Sequence, residues 1–323
     1  GGQDDLLFDG GSFILDPNIG LVLSLPQFKI TNKIVELNSL NKNEVKDSLG
    51  SINILFDGLV LALKDYLQKN SIQKVFLGLS GGIDSAVVLC IAAKACSKKD
   101  IQTIMMPTKF TSKISLDDAK TLAKNIGVKY TIKRIDSLNN KINKMFEKDF
   151  LGYEADTTEE NIQARIRGLL LMTYANKFKG VVLATSNKSE TAVGYATLYG
   201  DMVGGFSVLK DVPKTWVYKL AQFINENEII IPTRIITRAP SAELKDNQSD
   251  QDSLPDYEIL DGIIDLYLDK GHSPATIIKK GYDAFTVKKV VKLIHGSEFK
   301  RRQSAPGPKV TNKAFGKERR YPI

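Results

Sequence analysis

From about residue 52 onward, apolar positions along this 323-residue chain recur with two alternating periods. Over 52–69 the apolar residues Leu55, Leu59, Ala62, Leu63, Tyr66 and Leu67 repeat with helical spacing. Short apolar runs near 74–79, 101–106, 128–133 and 181–185 read as buried strands, and helical patterns near 85–98, 115–126 and 158–178 separate them. Such alternation predicts an α/β fold, a doubly wound and mostly parallel sheet with helices on both faces. Ligands of such sheets sit at the C-terminal ends of the strands. After Asp201 the pattern predicts helices near 214–226, 257–270, 275–281 and 286–295, with a polar stretch at 241–256. Before residue 52, the segment 5–23 reads as two short strands around a Pro17-Asn18 turn, too little to fold alone. The Asn- and Lys-rich stretch from 29 to 51 reads as a linker.

The strand near 74–79 runs into Leu79-Ser80-Gly81-Gly82-Ile83-Asp84-Ser85 and then directly into a helical pattern. Two glycines at a strand-to-helix junction let backbone approach a phosphate, and the helix start offers free N–H groups to an anion. No Gly-Lys-Ser/Thr follows, so this is not a Walker A loop. An Asp beside a phosphate calls for a hard cation between them, which makes Asp84 a candidate magnesium ligand.

Composition narrows the reading. A 42% hydrophobic and 25% charged chain is that of a soluble globular protein, and no apolar run approaches the roughly 20 residues of a membrane span. Only Cys90 and Cys96 occur, both on the helix after the phosphate loop, which excludes a disulfide framework and fits a reducing cytoplasm. His272 and His295 are too few for a histidine metal cluster. The net charge of +8 is local: nine Lys/Arg against Glu298 and Glu318 put +7 into residues 292–323. A basic tail of that kind suits nucleic acid, the phosphates of a dinucleotide or a partner subunit.

Four further constellations carry chemistry. The strand near 181–185 ends in Thr185-Ser186-Asn187-Lys188-Ser189-Glu190, on the same sheet edge as the phosphate loop. Glu190 is therefore a candidate second magnesium ligand and Thr185 a candidate nucleoside contact; the simpler reading of Glu190 is a helix start favoured by the dipole. Asn161 and Arg165, four apart, share a face beside a buried stripe of Ile162, Ile166, Leu169 and Leu170, and spacing alone favours a solvated Arg165. Lys214 stands at a helix start, where the dipole disfavours a cation and a nearby polyphosphate would explain it. The stretch 241–257 holds five acids and little apolar content, as a lid over ATP or a surface loop would.

The Ser80–Ser85 motif resembles the signature of the ATP pyrophosphatases, which belong to the adenine-nucleotide α-hydrolase type of fold. Together with Asn161-Ile162-Gln163-Ala164-Arg165, Thr185 to Glu190, Leu198-Tyr199-Gly200-Asp201, Val212-Pro213-Lys214-Thr215 and the basic tail, it makes residues 52–323 similar to the NAD synthetase family, in its glutamine-dependent bacterial form. Residues 1–28 resemble the last hairpin of the nitrilase-like glutaminase domain of that form, with 29–51 as the linker. The resemblance implies a two-step reaction: the carboxylate of deamido-NAD attacks ATP to give an adenylate and pyrophosphate, then ammonia displaces AMP. It implies that Gly78, Leu79, Ser80, Gly81, Gly82, Ile83, Asp84 and Ser85 cradle ATP, with Asp84 and Glu190 holding Mg2+. Lys214 and Ser241 would contact phosphates, Thr185 the adenosine, and Asn161, Glu190 and Lys300 deamido-NAD. Asp201 would position ammonia, making Asp84, Lys214 and Asp201 the catalytic set. Lys188 lies in a motif without a role to assign. Family members are homodimers that bind deamido-NAD across the interface.

A nitrilase-like glutaminase needs a Cys nucleophile with Glu and Lys partners, and both cysteines here lie on an apolar helix of the synthetase part. The chain therefore reads as a fragment with ammonia-dependent chemistry and no glutaminase. Two other readings compete. A tRNA-modifying ATP pyrophosphatase would use the basic tail and bind RNA with steep salt dependence. An ATP-binding module without turnover would have less need of both Asp84 and Glu190. Neither a membrane nor nucleic acid is an expected partner.

Overall fold

The computed structural model describes residues 1–36, 52–246 and 248–322. Two antiparallel hairpins come first, β1 (Gly2–Gln3) with β2 (Leu6–Leu7) and β3 (Phe13–Asp16) with β4 (Gly20–Ser24). The second is the hairpin expected at 5–23; Asp16 Oδ1 closes its turn by accepting the Asn18 and Ile19 N–H groups, both at 2.8 Å. The first has strands of two residues, too short for any periodicity to reveal. The first hairpin docks on α1 (Ile52–Lys69), where Gly2 N–H donates to Asp65 at 2.7 Å. Residues 29–36 contain no helix or strand, and the rest of the expected linker, 37–51, lies outside the described residues.

The main body then alternates as the pattern predicts: β5 (Lys74–Gly78), α2 (Ile83–Ala95), β6 (Ile101–Met105), α3 (Lys113–Ile126), β7 (Lys129–Ile132), α4 (Asp136–Phe146), α5 (Thr157–Phe178), β8 (Gly180–Ala184), α6 (Lys188–Val193), β9 (Phe206–Ser207) and α7 (Lys214–Ile224), with α4, α6 and β9 as elements the pattern does not show. The five strands are all parallel, in the order β7-β6-β5-β8-β9. The chain winds outward from β5 through β6 to β7, then returns to β8 and β9. Strand order therefore reverses between β5 and β8, and the crevice outside their C-terminal ends is where such a sheet binds ligands.

Side-chain alternation along β5 divides the core. Val75 and Leu77 pack with α1, α2, α3 and α7, while Phe76 faces α5 with Ile104 and Val182. Helix α2 is buried nearly all round, which is why its sequence is apolar on every side. In α5 the expected stripe is partly wrong. Leu169 is 61% exposed, and the buried positions are Gln163, Ala164, Ile166, Gly168, Leu171 and Ala175. The helix is clamped from two sides, by the sheet and by the 199–200 loop, so a single stripe does not describe it. A Cβ at Gly168 would lie 2.9 Å from the Tyr199 carbonyl, which leaves room only for glycine. Helix α4 has no fully buried residue and correspondingly little sequence signal.

The C-terminal part adds α8 (Thr233–Thr237), α9 (Tyr257–Ile264) with a π-helical turn over Asp265–Asp269, α10 (Pro274–Lys279), α11 (Ala284–Gly296) and α12 (Glu298–Arg301). Helix α8 packs on the first core through Ile235, while α9, α10 and α11 enclose a second core around Leu260, Ile277, Val290 and Ile294, closed by Phe315 and Tyr321 of the tail and by Val193 of α6. Much of the basic tail is turned inward. Arg301 pairs with Glu298, donates to the Ala192 and Ile294 carbonyls and lies over the Phe315 ring, and Lys309 pairs with Glu318. Lys188, left without a role by its motif, is buried against Asp211, Asp269 and Thr311, tying the tail to α6.

Candidate active site

The phosphate loop is built from its own hydroxyls and glycines. Ser85 Oγ donates to the Gly82 carbonyl at 2.9 Å, and Gly82 N–H donates to Ser80 Oγ at 3.2 Å, so the turn folds over the start of α2. Gly81 has φ +80°, and a Cβ there would fall 2.5 Å from the Ser115 carbonyl oxygen. Only glycine satisfies both conditions. Gly81→Ala is expected to push the loop off α3 and weaken ATP binding at least about tenfold, the equivalent of one left-handed non-glycine residue plus a clash. Calorimetric titration with ATP checks it; wild-type affinity would show that the loop does not contact the nucleotide.

Lys214 stands at the centre of the site, 2% exposed. Its ammonium reaches Asp84 Oδ2 at 2.5 Å and Glu190 Oε1 at 3.1 Å, and lies 5.1 Å over the Tyr257 ring. Burial disfavours the ammonium, but Asp84 and Glu190 outweigh it and hold its pKa above the ordinary lysine range. Burial pushes the Glu190 carboxyl up, with Lys214 pulling against it and Asp84 adding to the rise. Asn187 couples the two acids: its Nδ2 donates to Asp84 Oδ1 at 2.9 Å, and its Oδ1 caps α6 by accepting Glu190 N–H at 2.9 Å. Two carboxylates converging on one cation are a hard-oxygen pair of the kind that holds Mg2+ together with substrate phosphates, so the donor set fits that ion. Among the described residues no group of three acids, histidines or cysteines forms a metal cluster by itself.

This cluster opens into a cavity of about 270 Å³ at the switch point. Gly78, Leu79, Ser80, Gly81, Gly82, Ile83, Asp84, Ser85, Thr185, Glu190, Lys214, Ser241 and Asp201 all line it. Asn161 and Lys300 do not. They converge instead on the loop before Asp201: Asn161 Oδ1 accepts from Thr197 Oγ1 at 2.7 Å, and Lys300 Nζ donates to the Gly194 and Ala196 carbonyls, both at 2.8 Å. Asp201 closes that loop by accepting Thr197 N–H at 2.7 Å. Asp201 is an exposed residue of the cavity wall, and the protein packed around its carboxyl pushes the pKa up against the pull of Thr197 N–H and Lys300. Arg165 is exposed and donates to the Leu198 carbonyl at 3.3 Å, as the simpler reading of its spacing holds.

Several cavity residues escape sequence reasoning. Arg167, two positions past Arg165, is turned inward to the Met106 carbonyl, and burial lowers its pKa to about 10. Its helical phase with Ala164 and Leu171, both cavity-lining, is the signal that separates it from Arg165. The polar stretch 241–256 is built into the wall. Glu243 accepts from Ser112 Oγ and Ser115 Oγ at 2.9 and 2.7 Å, beside Arg238. Asp250, 4% exposed, accepts from the Tyr257 and Tyr195 hydroxyls at 2.8 and 3.2 Å.

A parallel sheet with a Ser-Gly-Gly loop at its switch point and two carboxylates beside it defines an adenine-nucleotide-binding domain of the ATP pyrophosphatase type. Within that class the chain belongs to the NAD synthase family, whose sequence profile matches residues 55–304. It is 48% identical over 329 aligned positions to the glutamine-dependent NAD(+) synthetase of Acinetobacter baylyi, covering all of this chain and 61% of that protein. To the protein of the same name from Aquifex aeolicus it is 42% identical over 358 positions, covering all of this chain and 63% of that protein. The chain thus spans about three-fifths of the length of these relatives. Among solved structures, the glutamine-dependent NAD+ synthetase of Acinetobacter baumannii in complex with ADP is similar at 45% identity and a TM-score of 0.71, over all of this chain and 60% of that one. The NMN synthetase of Francisella tularensis, at 24% identity and a TM-score of 0.67, covers 78% of this chain and shares the fold.

Proposed function

We propose that this chain amidates deamido-NAD to NAD, a carbon–nitrogen ligation driven by cleavage of ATP to AMP and pyrophosphate, with ammonia as the nitrogen donor. The observation that carries this reading is the Lys214–Asp84–Glu190 cluster at the mouth of the phosphate loop, in a chain of the NAD synthase family. A carboxylate is a poor electrophile, so the reaction needs groups that gather the negative charge of ATP while the substrate oxygen attacks. Gly78 to Ser85 would cradle the phosphates, Thr185 would face the adenosine, and Lys214 and Ser241 would reach the phosphates from the opposite wall. Asp84 and Glu190 would hold Mg2+, which supplies charge neutralisation of the polyphosphate when bound.

A cavity of about 270 Å³ lies just below the roughly 300–1,000 Å³ of ligand pockets and leaves no room for two nucleotides side by side. Deamido-NAD would enter from the 194–201 side, where Asn161, Lys300 and Asp201 converge, with Glu190 facing both substrates. Asp201 would position the incoming ammonia, with its carboxylate accepting hydrogen bonds from it. A homodimer is part of this reading, and the exposed Met145, Leu151, Tyr153 and Leu169 offer apolar surface for it. No helix of the described residues is long and apolar enough to cross a membrane. Free cysteines fit the cytoplasm.

Neither cysteine suits a glutaminase nucleophile. Burial pushes the Cys90 thiol up to about 12 and the Cys96 thiol up to about 11, so neither is a thiolate near neutrality. The test supplies deamido-NAD, ATP and Mg2+ with ammonium or glutamine separately. NAD is expected with ammonium, and glutamine alone is expected to yield neither NAD nor glutamate. Glutamine hydrolysis by this chain would remove the ammonia-only reading. An ATP-to-AMP reaction that requires RNA would replace the substrate.

A further inference from the structure

Helix α7 begins without a cap of its own, since the residue before it is Pro213, whose side chain accepts nothing. Its first free N–H groups are capped from two other elements. Lys214 N–H donates to Ser189 Oγ of α6 at 2.8 Å, and Thr215 N–H donates to Asp261 Oδ2 of α9 at 2.9 Å. Ser189 Oγ in turn donates to Asp261 Oδ1. One carboxylate therefore ties together the starts of α6 and α7, the two helices that carry Glu190 and Lys214. Asp261 does not line the reaction cavity. It opens with Ser189 and Thr215 onto a separate recess of about 600 Å³ behind these helices.

Resting on the proposed amidation, we propose that Asp261 is a positioning residue that sets Glu190 and Lys214 against Asp84 through Ser189 and Thr215. The physical reason is twofold. A borrowed cap fixes the first turn of α7 in all directions, where a capping residue on the same helix would leave it free to move relative to α6. An acid at that end also offsets the Lys214 cation, which the helix dipole opposes. Asp84 needs no such device, because α2 is fixed by burial on all sides.

The test compares Asp261→Ala, Asp261→Asn, Ser189→Ala and the double variant D261A/S189A. D261A is expected to lower kcat for NAD formation about 10- to 100-fold, as lost outer-shell support does. D261N keeps an acceptor for Thr215 N–H and is expected to recover most of that loss, with a melting temperature near wild type. Because Asp261 acts through Ser189, the double variant should be no slower than D261A. Unchanged kcat per folded molecule in D261A and D261N, or losses that multiply in the double variant, would overturn the assignment. If the wild type makes no NAD, the amidation itself fails, and Mg·ATP affinity decides the positioning claim. About tenfold weaker binding in D261A and S189A alike would sustain it; affinity equal to wild type, or no binding by any form, would end it.

Discussion

Lys214→Met is expected to lower NAD formation by about 10²–10³-fold while leaving the chain folded, the loss seen when one fixed electrostatic contact to a developing charge is removed. Methionine keeps the length and apolar stem and deletes only the cation, so packing against Tyr257 survives. What remains is Asp84 and Glu190 facing each other without the ammonium that bridges them. Breaking a buried pair from one side costs about 3–5 kcal/mol in full burial. Here the carboxylates keep 18% and 16% exposure to the cavity, so water reaches them and the lower part of that range applies.

The sign of the pH dependence follows. In the variant Glu190 binds its proton more tightly than in the unfolded chain, because burial and the neighbouring Asp84 raise it and the Lys214 cation that pulled against them is gone. The folded state then holds more protons, so stability falls as pH rises through the folded pKa. Thermal denaturation of K214M should therefore show a larger deficit against wild type at pH 8 than at pH 5.5. A deficit that grows toward acid would mean that Lys214 is not the group neutralising these acids.

Most of the fold and the floor of the site are legible in sequence because they depend on local pattern. Strand β5, the Ser80 to Ser85 loop and α2 are consecutive, and the parallel winding places Thr185 to Glu190 beside them. The walls are another matter. Asp250 becomes a buried acceptor only because Tyr195, just past the end of α6, and Tyr257 of α9 approach it. A polar stretch looks the same on the surface and in a cavity wall, since what differs is the partner. Arg165 and Arg167 are alike in composition and separated only by helical phase, which in α5 has to be read against two clamping walls rather than one apolar stripe. Lys188 is the extreme case, with partners at Asp211, Asp269 and Thr311 that no spacing rule connects.

That isolation makes Lys188→Met the expected largest loss of stability. Lys188 is 1% exposed, pairing with Asp211 and Asp269, themselves 3% and 7% exposed, at 3.2 Å each. All three side chains are almost fully buried, so a cost of about 3–5 kcal/mol applies. At roughly 2–4 °C per kcal/mol, the melting temperature should fall by about 10 °C. Asp211 also accepts Val310 and Thr311 N–H at 2.8 Å each, and Asp269 accepts Lys313 N–H at 2.8 Å. Unpaired, these two acids would repel one another across the segment that anchors the tail, so the tail should loosen first and become the site of early proteolysis. Neutralising the partners as well, in the triple variant K188M/D211N/D269N, should return most of the loss, because the penalty lies in uncompensated charge rather than in missing attraction. A K188M melting temperature within 2–3 °C of wild type, on the scale of about 1 kcal/mol, would place these side chains in water rather than in the core. If instead the triple variant were no better than K188M, the hydrogen bonds to the tail, and not the buried charge, would be what Lys188 sustains.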